Sequence, residues 1–192
     1  MREQPDASAE RRERPERTPM TPLQKVAMGL VIVALDTLGR YDLLPDVIGW
    51  GLVVWGLGSL RLPERSTLLA IASVCGLVSL AVWFPQVNEP VHDAELALKW
   101  ALSLPDLLFI FLFSRSLSSA AAGTGDRKFA GRFGVIGWLA CIVAALPPIA
   151  DAADSTTMLG YADVSFVLLW IWLIWNLFAA HATPYAAARD SR

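Results

Sequence analysis

Residues 44–60 read LPDVIGWGLVVWGLGSL, and this stretch decides the fold class of the chain. Between Asp46 and Arg61 it contains no charged residue and two tryptophans. Five further apolar runs of similar length recur along the 192 residues, separated by short charged gaps. Soluble helices carry a charged face, whereas long uncharged runs are typical of helices that cross a lipid bilayer. The sequence therefore predicts an all-α integral membrane protein, a helical bundle in contact with lipid.

Six transmembrane helices are predicted, and together they make residues 22–182 the membrane domain. Residues 1–20 contain five Arg, five acidic residues and three Pro, a composition that cannot bury enough surface to become ordered. We therefore expect a disordered tail over residues 1–21 and a second polar tail over residues 183–192. The predicted spans cover about residues 23–39, 46–60, 67–84, 98–117, 133–149 and 161–180.

Lys and Arg are distributed unevenly between the two sets of gaps that alternate along the chain. Fourteen of the sixteen fall in the set that includes both termini, and only Arg40 and Lys99 fall in the other set. Short loops rich in Lys and Arg stay in the cytoplasm. We therefore expect both termini in the cytoplasm, with the chain in a cell membrane.

The phrase Leu-Pro-Asp occurs at residues 44–46 and again at 104–106, and residues 161–163, Tyr-Ala-Asp, form a looser third copy. Each copy lies in the second helix when spans are paired as one–two, three–four and five–six. This spacing predicts three tandem hairpins, and internal repeats in membrane proteins place shared sites at the repeat interfaces. Apolar helices also resemble one another through composition alone, which is the alternative interpretation.

Four carboxylates in or beside the spans are candidate functional groups: Asp106, Asp36, Asp46 and Asp163. An acidic residue in the first turn of a helix is stabilised by the helix dipole, and this role suits Asp46 and Asp163. Asp36 lies near the outer end of span one, with Arg40 one turn later as its simplest partner.

Asp106 fits the role at a helix start less well. It precedes Arg115 by nine residues, or about 14 Å of helix, so both charges cannot reach opposite membrane surfaces. Pro105 is expected to kink the helix there and to free a carbonyl group. A carboxylate inside the bilayer beside an interrupted helix indicates a functional site.

The glycines of span two predict helix packing. Gly49 and Gly56 are seven residues apart, as are Gly51 and Gly58, so each pair shares one face of the helix. Small residues allow helix backbones to approach closely in lipid. We therefore expect this helix to lie between two neighbours, with one glycine pair against each.

The segment from Asp42 to Leu57, with its Leu-Pro-Asp-Val-Ile-Gly core, resembles one that is common in small bacterial membrane proteins without assigned chemistry. In this chain Trp50 occupies a position where those proteins are expected to have Tyr. The resemblance implies a multi-spanning protein of the bacterial inner membrane, and it supplies no catalytic or binding residue.

Catalytic and metal-binding motifs are absent from the sequence, so no enzyme activity, cofactor or metal is expected. Cys75 and Cys141 lie in apolar runs without a second ligand at metal-binding spacing. Asp36 and Asp106 could form an aspartyl pair only if spans one and four packed together. The net charge of −2 gives no reason to expect nucleic-acid binding.

Two functions then remain open. The first is a non-enzymatic scaffold, partner subunit or sensor, whose partners are the lipid bilayer and another membrane protein or a second copy of the chain. The second is a transporter of a small solute or cation, whose outer carboxylates would attract the substrate.

Overall fold

The computed structural model describes residues 20–38, 46–84 and 96–183, and in these ranges the chain forms six α-helices. The predicted tails lie almost entirely outside these ranges. The all-α prediction is confirmed. The helices are α1 Pro22–Leu38, α2 Asp46–Ser59, α3 Arg65–Trp83, α4 Leu96–Gly123, α5 Arg127–Ala152 and α6 Thr156–Ala179.

Four of the six helices, α3 to α6, are long and apolar enough to cross a membrane. The other two, α1 and α2, are shorter apolar helices of 17 and 14 residues. Both are as short as the sequence predicted, so length and composition identify four of the six predicted spans.

The helices pack in a closed ring. Each helix packs against the next along the chain, and α1 packs against α6 to complete the circle. Helices α1 and α4 therefore lie on opposite sides of the ring. An Asp36–Asp106 pair would require α1 and α4 to be neighbours, and this arrangement separates them.

Large aromatic side chains fill the centre of the ring. Trp50 of α2 contacts Phe109 of α4, with ring centroids 5.1 Å apart, and Trp170 of α6, at 6.4 Å. Phe109 in turn stacks on Phe113 at 5.3 Å. All four side chains are buried, so α2, α4 and α6 meet through their side chains around the axis of the bundle.

The two ends of the bundle differ in charge. We call the half of the bundle that contains the start of α2 and the end of α5 the acidic end. Of the eight Lys and Arg in the described ranges, only Lys99 lies there. The acidic residues of that end include Asp46, Asp151, Asp154 and Asp163. The opposite half, the basic end, holds Lys25, Arg61, Arg65, Arg115, Arg127, Lys128 and Arg132.

Side-chain caps fix where three helices begin, and at α5 the Asp126 carboxylate accepts from the N–H of Phe129 (3.2 Å). The backbone N–H of Thr21 donates to the Gln24 side chain (2.9 Å), and the N–H of Gln24 donates to the Thr21 hydroxyl (3.3 Å), which together form a capping box at α1. At α6 the Ser155 hydroxyl accepts from the N–H of Met158 (3.3 Å). The start predicted for this last helix, near Tyr161, was therefore wrong by more than one turn.

Prolines lie inside two helices without ending them. Helix α4 runs unbroken through Pro105, and α5 continues past Pro147 and Pro148 to Ala152, three residues beyond its predicted end. A proline inside a helix removes one N–H and leaves the carbonyl four residues earlier without its usual donor.

Candidate functional site

Asp106 of α4 lies beside the thiol of Cys75 of α3. Cys75 is buried, and Asp106 is partly buried at the interface between the two helices. The carboxylate lies eleven residues into α4, so it is not a helix-start residue. It is also one turn from Phe109, which connects it to the aromatic centre.

Next to Asp106, Pro105 borders an apolar cavity of about 630 Å³ between α3, α4 and α5. Ala101, whose carbonyl loses its helical donor to Pro105, also lines this cavity. The carbonyl that is predicted to lose its hydrogen bond therefore belongs to a residue of the cavity wall, while α4 itself continues past Pro105. The remaining lining residues are Ile71, Val74, Leu104, Leu107, Leu108, Phe111, Ala140, Cys141 and Ala144.

Asp46 is the first residue of α2, which is the position predicted for it. Asp163 is not at a helix start: it is the eighth residue of α6, because that helix begins at Thr156. The prediction that Asp163 marks the start of the last helix is therefore corrected. Its side chain instead lines a second cavity.

This second cavity, the acidic-end cavity, has a volume of about 320 Å³ and lies between α4, α5 and α6. Lys99, Ser103 and Asp163 supply its polar groups. Its apolar lining consists of Leu96, Trp100, Leu107, Val143, Pro147, Leu159, Ala162 and Phe166. The volume is at the lower end of the range for small-molecule sites.

The Trp100 side chain joins α4 to α5 at one wall of this cavity. Its indole N–H donates to the carbonyl of Ala144 at 2.9 Å. Ala144 is four residues before Pro148, which has no N–H to give it. The tryptophan therefore replaces the hydrogen bond that the proline removes, and this explains why α5 can continue through Pro148.

The predicted carboxylates do not meet in one group. Within the described ranges, no set of three or more His, Cys, Asp or Glu side chains is placed to hold a metal ion. Asp106 lies against Cys75, whereas Asp163 lines a cavity with Lys99. The side chain of Asp36 lies outside the described part of the structure.

Only one of the two glycine pairs packs closely. A Cβ atom added to Gly49 would lie 2.7 Å from the carbonyl oxygen of Gly29, and one added to Gly56 would lie 2.9 Å from that of Pro22. Gly51 has nothing within 4 Å of such an atom, and Gly58 has only the Arg65 side chain at 4.0 Å. The second packing face is therefore corrected: α3 contacts α2 differently, with Gly76 beside Trp50.

Sequence reasoning missed three residues of these sites: Cys75, Lys99 as a cavity residue, and Trp100 as a hydrogen-bond donor. The pairing of Cys75 with Asp106 depends on the register of α3 against α4, which has no local signal. Pro148 did carry a signal, because it leaves the Ala144 carbonyl in need of a donor from another helix.

No protein-family model matches the chain, and no curated protein or solved structure is significantly similar to it. A function must therefore be argued from the geometry.

Proposed function

We propose that the chain is a non-enzymatic membrane protein with six spans, both termini in the cytoplasm, which acts as a scaffold, partner subunit or sensor in a bacterial inner membrane. The orientation is supported by the charge difference between the ends, with seven of the eight described Lys and Arg at the basic end. The bacterial assignment rests on the resemblance of residues 42–57.

The short helices α1 and α2 are included among the spans because of their neighbours. At 1.5 Å per residue they extend about 25 Å and about 21 Å, somewhat less than a hydrocarbon core of about 30 Å. Each packs against helices long enough to span, α6 and α3, and the bilayer can thin locally around short segments.

The observation that carries the proposal is the aromatic centre of the bundle. Trp50, Phe109 and Phe113 are each at most 1% exposed, and Trp170 is 3% exposed. These side chains occupy the space along the axis that a hydrated solute would have to cross, which supports the proposal. A bundle filled in this way is better suited to bind a partner or to transmit a conformational change than to conduct a solute.

A flux assay tests this proposal against transport. Purified protein is reconstituted into vesicles, and the release of a panel of monovalent and divalent cations and small solutes is followed for the native chain and for Asp106→Asn. We expect background flux from both, with an ionophore as positive control. Flux by the native chain above the protein-free background would establish the transporter instead, and its loss in Asp106→Asn would place Asp106 on the pathway.

The orientation has its own measurement. In a chain with Cys75 and Cys141 replaced by Ala, single cysteines are introduced at Ala153, between α5 and α6, and at Thr124, between α4 and α5; both positions are exposed. A membrane-impermeant maleimide applied to intact cells should label Ala153→Cys at once and Thr124→Cys only after permeabilisation. The reverse pattern would contradict the orientation.

The transporter remains the second candidate because of the acidic-end cavity. Lys99 and Asp163 place opposite charges around a space of about 320 Å³ in which a small solute could bind before crossing. The flux assay distinguishes this candidate from the first, since binding alone gives no flux.

A further inference from the structure

We propose that the acidic-end cavity binds the headgroup of a zwitterionic phospholipid, one that carries a phosphate and a primary ammonium. This inference goes beyond the proposed function, because a structural subunit and a transporter could each hold such a lipid. Lys99 would contact the phosphate, and Asp163 would contact the ammonium.

The first argument is that each of the two charged residues is unusual among its neighbours in the bundle. Lys99 is the only Lys or Arg that the described ranges place at the acidic end. Asp163 is the only charged residue of α6, which is otherwise apolar enough to span a membrane. Charges in such positions are costly unless they have a role, and these two line the same cavity.

The second argument is that the two charges do not neutralise each other. No ion pair joins Lys99 to Asp163 in the described part of the chain, although both face the cavity. A singly charged ligand would satisfy one of them and leave the other unpaired in a partly apolar space. A ligand with one cationic and one anionic group satisfies both.

The third argument is depth. Trp100, the residue after Lys99, donates to the carbonyl of Ala144, which lies eight residues, or about 12 Å, before the end of α5. Asp163 lies seven residues, or about 10 Å, after the start of α6, so Lys99 and Asp163 are at similar depth and can contact the phosphate and the ammonium side by side. The deeper walls of the cavity, Leu107 and Phe166, are apolar and suit the glycerol backbone and the first methylenes of a lipid.

Ser103 completes the polar lining. It lies one turn below Lys99 on α4, and its hydroxyl donates to the carbonyl of Trp100 at 2.8 Å. With its hydrogen committed, this oxygen can accept from an ammonium but cannot donate to a second phosphate oxygen. The indole N–H of Trp100 is likewise already used, so Lys99 is the only side-chain donor that the cavity lining leaves for an anion.

Native mass spectrometry of the full chain in mild detergent tests the proposal. Delipidated protein is titrated separately with phosphatidylethanolamine, phosphatidylglycerol and phosphatidylcholine. We expect one retained phosphatidylethanolamine per chain. Phosphatidylglycerol lacks the ammonium and phosphatidylcholine has no N–H to donate to Asp163, so each should bind about tenfold more weakly, since a charge-assisted hydrogen bond is lost. Equal retention of all three lipids would overturn the proposal.

Variants locate the site. Lys99→Gln and Asp163→Asn should each weaken phosphatidylethanolamine binding about tenfold, and the double exchange Lys99→Asp with Asp163→Lys should restore much of it. Lys128→Gln, at the basic end, and Asp151→Asn, outside the cavity, are matched controls that should bind as the native chain does. Native-like binding by both Lys99→Gln and Asp163→Asn would place the lipid elsewhere and refute the assignment.

The soluble headgroup distinguishes a lipid from a free solute of the same chemistry. Glycerophosphoethanolamine has the same phosphate and ammonium but no acyl chains. We expect it to bind at least 100-fold more weakly than the lipid, because it loses the apolar contacts. Equal or tighter binding of the soluble compound would assign the cavity to a small solute and overturn the lipid as its occupant.

Discussion

The α1–α2 and α4–α5 hairpins are both closely packed, but different chemistry holds them together. In α1–α2 the backbones themselves touch, because Gly29, Gly49 and Gly56 have no side chains to separate them. In α4–α5 the link comes from side chains: Trp100 donates to the Ala144 carbonyl, and the Ser118 hydroxyl donates to the Ala130 carbonyl (2.7 Å).

The difference shows two solutions to one problem. Within lipid, helices gain little from excluding water, so they associate through close packing or through hydrogen bonds. The first hairpin uses glycine to maximise packing. The second uses carbonyl groups as acceptors, one of which is available because a proline removed its usual donor. The first should therefore be sensitive to added volume and the second to lost donors.

The largest effect is expected from adding one methyl group to the glycine contact. In Gly49→Ala the new Cβ would lie 2.7 Å from a backbone oxygen, so the helices must move apart, at a cost of about 3 kcal/mol. Gly51 lies two residues further along, on another face of the helix, where an added Cβ meets open space. Gly51→Ala should therefore leave the free energy of unfolding unchanged or raise it slightly. Unfolding of both variants in mixed detergent micelles, followed by circular dichroism, measures the difference. Equal destabilisation would refute the packing argument.

A smaller effect is expected from removing the indole donor. Trp100→Phe keeps an aromatic ring but leaves the Ala144 carbonyl without its partner, which should cost about 1 kcal/mol. Pro148→Ala restores a backbone N–H four residues after Ala144, so it should recover most of this loss in the double variant. A double-mutant cycle on the same unfolding assay checks the coupling. Strictly additive effects would show that the two residues do not share this carbonyl.

The smallest effect is expected from the hydrogen bond that connects α4 to the loop between α2 and α3. The Ser116 hydroxyl of α4 donates to the carbonyl of Pro63, in the loop between α2 and α3 (2.7 Å). We expect Ser116→Ala to cost somewhat under 1 kcal/mol. Ser114 is buried on the same helix, and its hydroxyl has no hydrogen-bond partner among the described residues, so Ser114→Ala should be neutral or slightly stabilising. If Ser114→Ala proved the more damaging variant, the hydrogen-bond argument would fail.

Much of the fold followed from the sequence, because apolar runs and prolines are local signals. The ends of α1 and α2 agree with the predicted limits to within one residue. The start of α6 was missed because the prediction took residues 161–163, the looser third copy of the repeat, as the opening of the span, whereas the capping residue, Ser155, lies in the polar stretch before it. The end of α5 was missed for a different reason: a proline stops a helix only when nothing else satisfies the freed carbonyl.

The candidate sites were less predictable. That Asp106 was unlike Asp46 could be inferred from its distance to Arg115, but its neighbour Cys75 could not, since that contact depends on how α3 and α4 are aligned. The acidic-end cavity combines residues from three helices. Its two charged groups are 64 positions apart in the sequence, and no periodicity connects them.

The packing of α1 against α6 has a consequence for how the protein is made. A ribosome delivers α1 first and α6 last, so one side of α1 lacks its final neighbour while the four helices α2 to α5 are inserted. The aromatic centre is also incomplete until then, because Trp170, one of the aromatic contacts of Trp50, belongs to α6. We expect assembly to finish in a single late step, when α6 arrives and the incomplete circle of five closes.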